Sequence, residues 1–446
     1  MKTKPDLSFW NLWNLSFGFF GVQMAFALQT SQNSRIFETL GANPHNLSYF
    51  WILPPLMGMI VQPIVGSLSD KTWCKYGRRK PYLYIGTIIA AIVMFLFPNS
   101  GSFSFQSVGA IMAFGAAMLM LLDTSLNMAM QPFKMMVGDM VNEKQKAKAY
   151  SIQSMLCNAG QVFGSLLPKL LAMIFIGGAA ANTIASGGAN EVPESLKWSF
   201  YIGAIVMIIC VLYTGFIVKE FNPEQYAQMN NIDANQKQEK TNIIQLLKNA
   251  PSAFWQIALV QFFCWFAFML MWTYTNGALA ENIWGATDKS MPGFNEAGDW
   301  VGVVFAVQSI ASVLWAIVMP YFKSTKVAYS TSLIIGGIGF ISTFFIQNQF
   351  VICGSFALVG CGWAAMLAMP FAILTNSLSG KSIGTYLGLF NCTICIPQIV
   401  ASLVGGLLLS LCGGERIYML VLAGVLLLLG AASVFIIKET SAKKSK

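Results

Sequence analysis

A chain is confined to few folds when its apolar residues come in unbroken runs as long as a bilayer is thick. About a dozen runs of 18 or more mostly apolar residues follow one another here, and roughly 20 such residues in a helix cross the hydrocarbon core. Backbone amides in lipid must bond within their own segment, so runs of this length are helical. The predicted spans cover residues 9–29, 47–69, 81–98, 105–133, 150–176, 198–218, 251–280, 300–320, 328–346, 350–378, 383–411 and 417–437. The expected fold class is an all-α membrane protein with 12 transmembrane helices. With 56% hydrophobic and 10% charged residues, the chain has more apolar surface than a soluble domain can hide. The basic start, Lys2 and Lys4, leads into a stretch too long for the apolar part of a cleavable signal peptide.

A net charge of +9 raises the question of nucleic acid, which its distribution answers. Of the 27 Lys and Arg, all but Arg35, Lys169, Lys197, Lys289 and Arg416 fall on one side of the predicted membrane. That bias marks the cytoplasmic side. Both termini are expected there, in a cell (inner) membrane, with no nucleic-acid partner. Nine cysteines, most within spans, read as small packing residues. Cys392 and Cys395 form a CxxC inside an apolar helix, away from any βαβ pattern, and read the same way.

The polar segment 219–250 separates residues 1–218, a six-helix half, from residues 251–446, a second six-helix half with a short tail. The segment reads as a cytoplasmic linker, and the Gly-, Ala- and Ser-rich loop 177–196 as flexible. The halves repeat. Pro132-Phe133 in helix 4 matches Pro370-Phe371 in helix 10, and Gln161-Val162-x-x-Ser165-Leu166 in helix 5 matches Gln398-Ile399-x-x-Ser402-Leu403 in helix 11. Such a repeat implies the major facilitator architecture, with a central cavity open to each side in turn. The repeat breaks at one informative place: nine residues before Pro132 is Asp123, but nine before Pro370 is Cys361.

Asp123 lies 11 residues before Lys134, roughly 16 Å along the helix and near the bilayer midplane. An ionisable group at that depth costs at least about 2.5 kcal/mol and is a functional candidate by default. Lys134 is too far along the helix to pair with it. Asn127, Gln131 and Lys134 follow at helical spacing, which gives this helix one polar face, read as lining a transport pathway. A carboxyl that gains a proton on one side and loses it on the other couples proton and substrate fluxes. The alternative is a neutral structural acid bonded to a neighbouring helix.

Gly66-Ser67-Leu68-Ser69-Asp70, with Lys71, Gly77, Arg78, Arg79 and Lys80, joins helices 2 and 3 and resembles the major facilitator loop motif. Asp70 is placed to accept from helix N-terminal amides and to pair with a basic neighbour, as a gating clasp. The resemblance sharpens along Gln62-Pro63-Ile64-Val65-Gly66-Ser67-Leu68-Ser69-Asp70 and Tyr76-Gly77-Arg78-Arg79-Lys80-Pro81. These look like the sucrose/proton symporters, within the glycoside–pentoside–hexuronide:cation symporter group. Helix 1 (Gly21-Val22-Gln23-x-x-Phe26-Ala27-Leu28-Gln29), Leu40-Gly41 with Pro44-His45, helix 4 (Leu122-Asp123, Asn127, Pro132, Asp139) and helices 10–11 (Pro370-Phe371-Ala372, Gly388-Leu389-x-Asn391, Pro397-Gln398) agree. The plant members carry Arg where Lys134 stands, and acids in helix 7 where this chain reads Met271-Trp272-Thr273-Tyr274.

The resemblance implies proton-coupled import of a disaccharide or glycoside, sucrose- or maltose-like, with Asp123 as the proton site. Asp70, Arg78, Arg79, Lys80 and Asp139 would form the cytoplasmic gate, and His45, the sole histidine, would tune outer access. Neutral amides suit a small neutral sugar: Gln23, Gln29, Asn127, Asn158 and Asn391 are the substrate candidates, with Trp265, Trp272 and Trp363 as stacking surfaces. Gly384-x-x-x-Gly388 reads as a close helix contact. No metal or organic cofactor is expected, and the protein is expected to be a monomer. Sodium coupling is the alternative, less favoured because helix 2 offers no acid before Asp70; an uncoupled facilitator is another. One loop histidine beside one deep acid does not make an enzyme, and short tails offer no signalling domain for a sugar sensor.

Overall fold

The computed structural model describes residues 4–103, 105, 107–176, 191–230, 250, 252–377 and 383–437. In order, the helices are α1 (Phe9–Leu40), α2 (Pro44–Phe50), α3 (Leu53–Lys71), α4 (Lys80–Leu96), α5 (Val108–Met140), α6 (Glu143–Ile176), α7 (Glu194–Ile217), α8 (Pro223–Asn230), α9 (Ser252–Trp284), α10 (Pro292–Val318), α11 (Thr325–Ser342), α12 (Ile352–Ser377), α13 (Ile383–Leu411) and α14 (Ile417–Ser433). Among the described residues there is no strand, only an isolated bridge between Cys74 and Gly77. The protein is an all-helical, multi-pass membrane protein.

Ten helical segments are long and apolar enough to cross a membrane, α2 and α3 counting together as Pro44–Lys71. The two long helices outside that set are α1 and α6, of 32 and 34 residues. Their length suffices and their polarity disqualifies them. Residues from Gln23 to Thr39 on α1 and from Gln145 to Gln161 on α6 lower their mean hydropathy. Elsewhere the pattern is plain. On α4, Leu83, Ala90, Ala91 and Met94 are buried, whereas Ile85, Ile88, Ile92 and Phe95 are exposed at helical spacing. An exposed apolar stripe opposite a packed one is what a lipid-facing helix requires.

Two compact units emerge. One comprises Met1–Gly41 and Met57–Glu239, the other Ala42–Leu56 and Lys240–Lys446. Ala42–Leu56, expected in the first half, packs within the second unit. There α2 lies on α13. In the first unit α1 packs on α6 and α7, and α4 on α5 and α7; in the second, α9 packs on α13 and α14, and α11 on α12 and α14. The internal repeat of the sequence is thus a repeat of helix pairings.

Three element boundaries differ from expectation. The first span, expected to stop at residue 29, continues to Leu40, from an N-cap at Ser8 to a stop at Gly41, whose φ of 112° suits only glycine without strain. The polar residues that argued for an end at Gln29 are instead buried against other helices. The second span breaks between Phe50 and Leu53, because Pro54 and Pro55 cannot continue a helix laid down before them. The linker begins with a helix, α8, packed within the first unit. Residues 231–249 of the linker, residues 177–190 of the expected flexible loop, and the surroundings of Gly384 and Gly388 lie outside the described residues.

Close helix approach in the first unit comes from a different glycine pair. A Cβ on Gly160 would lie 2.3 Å from the Phe20 carbonyl oxygen, and one on Gly164 would lie 2.3 Å from that of Met24. Only glycine lets α6 meet the backbone of α1 so closely.

Candidate functional site

Asp123 sits near the midpoint of α5 and is 1% exposed. Its Oδ1 accepts from Nε2 of Gln29 on α1 at 2.8 Å. Oδ2 has no hydrogen-bond partner among the described residues, and no cation pairs with the carboxyl there. Lys134, three turns further along α5, is exposed. A carboxylate buried without a cation carries a desolvation penalty of several kcal/mol. The protonated acid carries none of that and still uses its bond to Gln29.

A belt of amides continues from this point. One turn along α5, Asn127 donates from Nδ2 to the Asp123 carbonyl oxygen at 2.9 Å and accepts on Oδ1 from Gln62 of α3 at 2.8 Å. Gln131 donates to the Gln62 carbonyl oxygen at 3.5 Å. On α1, Oε1 of Gln23 accepts from Gln161 of α6 at 3.1 Å, and its Nε2 lies 3.1 Å from the Met130 sulfur of α5. Four helices are therefore joined by neutral donors and acceptors around one acid. Gln62, Gln131 and Gln161 remain partly exposed, which leaves amide edges open to a hydroxyl-bearing ligand.

Of the expected substrate residues, Gln23, Gln29 and Asn127 gather here. Asn158 does not bond into the belt: it donates to Ser154 of its own helix at 2.8 Å. Asn391 is half-buried on α13 of the second unit. In that unit the tryptophans expected to stack on sugar pack on one another, Trp265–Trp363 at 5.7 Å and Trp272–Trp363 at 5.8 Å between ring centroids. Trp51 stacks on Trp272 at 6.3 Å. His45, at the start of α2, is exposed, and its Nδ1 lies 3.1 Å from the Ser410 hydroxyl of α13. The α2 backbone comes close to α13 at the same place, since a Cβ on Gly406 would fall 2.0 Å from the His45 carbonyl oxygen.

The expected gate residues form one cluster in the first unit. Arg78 pairs with Asp70. Arg79 pairs with Asp70 at 2.7 Å and with Asp139 at 2.9 Å. Burial alone would lower the Arg79 pKa, but the Asp139 and Asp70 carboxylates raise it above its ordinary value. Lys80 donates its ammonium to the Val218 carbonyl oxygen.

Sequence reading missed two members. Glu220 accepts from the backbone amides of Arg78 (2.7 Å), Arg79 (3.0 Å) and Lys80 (2.9 Å), so a carboxylate caps the N-terminus of α4. Gly77 permits it: its φ is +113°, and a Cβ there would lie 2.8 Å from the Glu220 carboxyl carbon. Tyr226 of α8 places its ring 4.3 Å from the Arg78 guanidinium and donates to Asp139 at 3.2 Å. Burial, and then the Asp139 charge, hold its hydroxyl above the ordinary tyrosine pKa, so it remains a donor. The signal for Glu220 was present in the sequence as a lone acid just past the end of a span. Nothing local distinguishes Tyr226.

The chain is similar to known proteins over most of its length. The chain is 24% identical over 477 residues to "Sucrose transport protein SUT1" of Oryza sativa subsp. japonica, covering 95% of this chain and 87% of that one. It is 22% identical over 510 residues to "Sucrose transport protein SUC3" of Arabidopsis thaliana, covering 91% and 83%. Among solved structures, nucleoside transporter NupG superimposes with a TM-score of 0.68 at 14% identity, covering 96% and 98%. A D-xylose-proton symporter does so with a TM-score of 0.65 at 15% identity, covering 97% of each chain. The likeness to these solved structures shows the fold. Residues 15–282, more than half of the chain, match the profile of the Major Facilitator Superfamily, and the protein belongs to that family.

Proposed function

We propose that this protein imports a small neutral disaccharide or glycoside together with a proton by alternating access. The observation that carries the reading is Asp123: one fully buried carboxyl, bonded on one oxygen by Gln29, with no cation paired to it among the described residues and a belt of amides around it. Protonation removes the desolvation penalty, and a sugar hydroxyl bonded to the amide belt in one protonation state links the two fluxes. Gln23, Gln29 and Asn127, with Gln62, orient the sugar. Asn158 and Asn391 are proposed as further contacts. The sucrose transport proteins among the relatives support sucrose as the first substrate to test, with maltose next.

The basic loops, the clasp of Asp70, Arg78, Arg79, Lys80 and Asp139, and both termini face the cytoplasm in this reading, and His45 faces outward beside the sugar entry. The membrane is a cell membrane and the working unit a monomer. A proton is preferred to sodium because a hard cation is held by several oxygens at fixed distances, whereas Asp123 offers one carboxyl among amides. Sucrose and maltose uptake into proteoliposomes tests this. Accumulation driven by an inward proton gradient and abolished by a protonophore is expected; accumulation driven only by sodium, or mere equilibration, would overturn proton coupling.

A further inference from the structure

Above Gln29, towards the outer end of α1 in the proposed orientation, the helix carries polar residues that sugar binding does not use. Gln32, Asn33, Ser34, Arg35, Glu38 and Thr39 are all buried. Arg35 donates to Gln32 at 3.3 Å, and Thr39 to the Arg35 carbonyl oxygen at 2.8 Å. Asn33 stands apart. It is 0% exposed, and neither its Nδ2 nor its Oδ1 has a hydrogen-bond partner among the described residues. A buried amide with neither bond made is costly, about 1–3 kcal/mol for each unsatisfied group. Such a group in a packed helix bundle is retained for something it holds.

Its position says what that is. One turn below it, Gln29 bonds Asp123 of α5. One turn above it, Phe37 lies against Gly115 of α5, its ring atom 3.2 Å from the place of a Cβ there. Asn33 therefore faces the same helix, level with Leu119, which is apolar and fully buried. Two further buried atoms, Oε1 of Gln29 and Oδ2 of Asp123, have no hydrogen-bond partner among the described residues. Of the charged groups on the helices packed against α1, only Asp123 is at this level. Lys134, Asp139 and the basic residues that open α6 lie nearer the cytoplasmic ends of their helices, and Lys169, Glu194 and Lys197 nearer the outer ends.

We infer that Asn33 and Gln29 hold a water beside Asp123, and that this water passes protons between the outer polar end of α1 and the Asp123 carboxyl by a route inside the first unit. Asn33 carries no proton itself. Its amide positions the water. As an O–H bond forms on Oδ2 of Asp123, one breaks on the water, which is reprotonated from the outer side; nothing is oxidised or reduced. This rests on the proton-coupled reading above and assigns Asn33 as a positioning residue in it.

The test compares Asn33→Leu, Asn33→Ala and Asn33→Ser with the native protein in proteoliposomes, using radiolabelled sucrose. Proton-gradient-driven uptake is set beside sucrose counterflow, which needs no net proton movement. Asn33→Leu is expected to slow driven uptake roughly tenfold, within the usual range of coupling between sites, while counterflow and the sugar KM stay native. Asn33→Ser, whose hydroxyl can hold water, restores most of the rate. Among the described residues no protein group bonds the native amide, so the apolar variants should melt close to the native protein, and Asn33→Ala serves if leucine does not fit. Equal loss of driven uptake and counterflow, a lower melting temperature in both apolar variants, or no effect on driven uptake would overturn the inference. Native protein that exchanges sucrose but ignores the proton gradient would overturn both the inference and the reading beneath it.

Discussion

Replacing Gly77 by alanine tests the construction of the clasp around Arg78 and Arg79. Two costs follow from the structure. At φ +113° an L-residue is strained by about 1–2 kcal/mol. The new Cβ would also lie 2.8 Å from the Glu220 carboxyl carbon, which must withdraw from the three amides it caps. Losing a capping carboxylate costs about 2 kcal/mol. The sum is about 3–4 kcal/mol for Gly77→Ala alone. In the Glu220→Ala background the second cost is already gone, so Gly77→Ala should cost only about 1–2 kcal/mol there, a coupling of roughly 2 kcal/mol. Thermal unfolding in detergent reads this with a thiol-reactive dye, since Cys210, Cys264, Cys361 and Cys395 are buried and free. At about 2 °C per kcal/mol, the single change should lower the melting temperature by roughly 6–8 °C and the change in the Glu220→Ala background by roughly 2–4 °C. Additive shifts would refute the idea that Gly77 is there to admit Glu220.

Three further outcomes are expected. Gly160→Ala should give no monodisperse protein on size-exclusion chromatography, because its Cβ meets the Phe20 backbone, whereas Gly354→Ala, with nothing within 4 Å, should behave as native. Tyr226→Phe loses one hydrogen bond to Asp139 and should cost about 1 kcal/mol; Tyr226→Ala also loses the ring over Arg78 and should cost about 1 kcal/mol more, both measured by melting temperature. The clasp should be insensitive to pH near neutrality. Arg79 has a folded pKa above its ordinary value, so its contribution is complete below the unfolded pKa and is lost only as pH rises through the folded one, beyond about pH 12. The destabilisation by Asp139→Asn should therefore be the same at pH 6 and pH 9, and a penalty that disappears between them would contradict the pairing.

Helix existence and the repeat were legible because lipid imposes long apolar runs and duplication preserves motif spacing. Asp123 was legible for the same reason: a charge in such a run stands out. The polar end of α1 was not. Gln32 through Thr39 read as the end of a span because polarity ordinarily marks the membrane boundary, whereas here protein, not lipid, surrounds them. The Pro54-Pro55 break was written in the sequence, but its consequence, that Ala42–Leu56 packs with the second unit, depends on tertiary contacts such as Gly406 against His45. The partners of Asp123 divided in the same way. Asn127 followed from helical spacing; Gln29 was expected only as a substrate residue, and its bond to Asp123 comes from the packing of α1 on α5. The turning of Asn158 to its own helix, and the bond from Gln62 to Asn127, depend on side-chain choices among equivalent amides that no local pattern decides.

The central claim is that Asp123 carries the coupling proton. The most direct measurement is sucrose transport by Asp123→Asn beside the native protein in proteoliposomes, with an imposed inward proton gradient and, separately, in counterflow. The amide keeps the shape and the bond to Gln29 but cannot ionise. The account requires that the variant exchange sucrose yet fail to accumulate it, while the native protein does both. Gradient-driven accumulation by Asp123→Asn at the native level would contradict it.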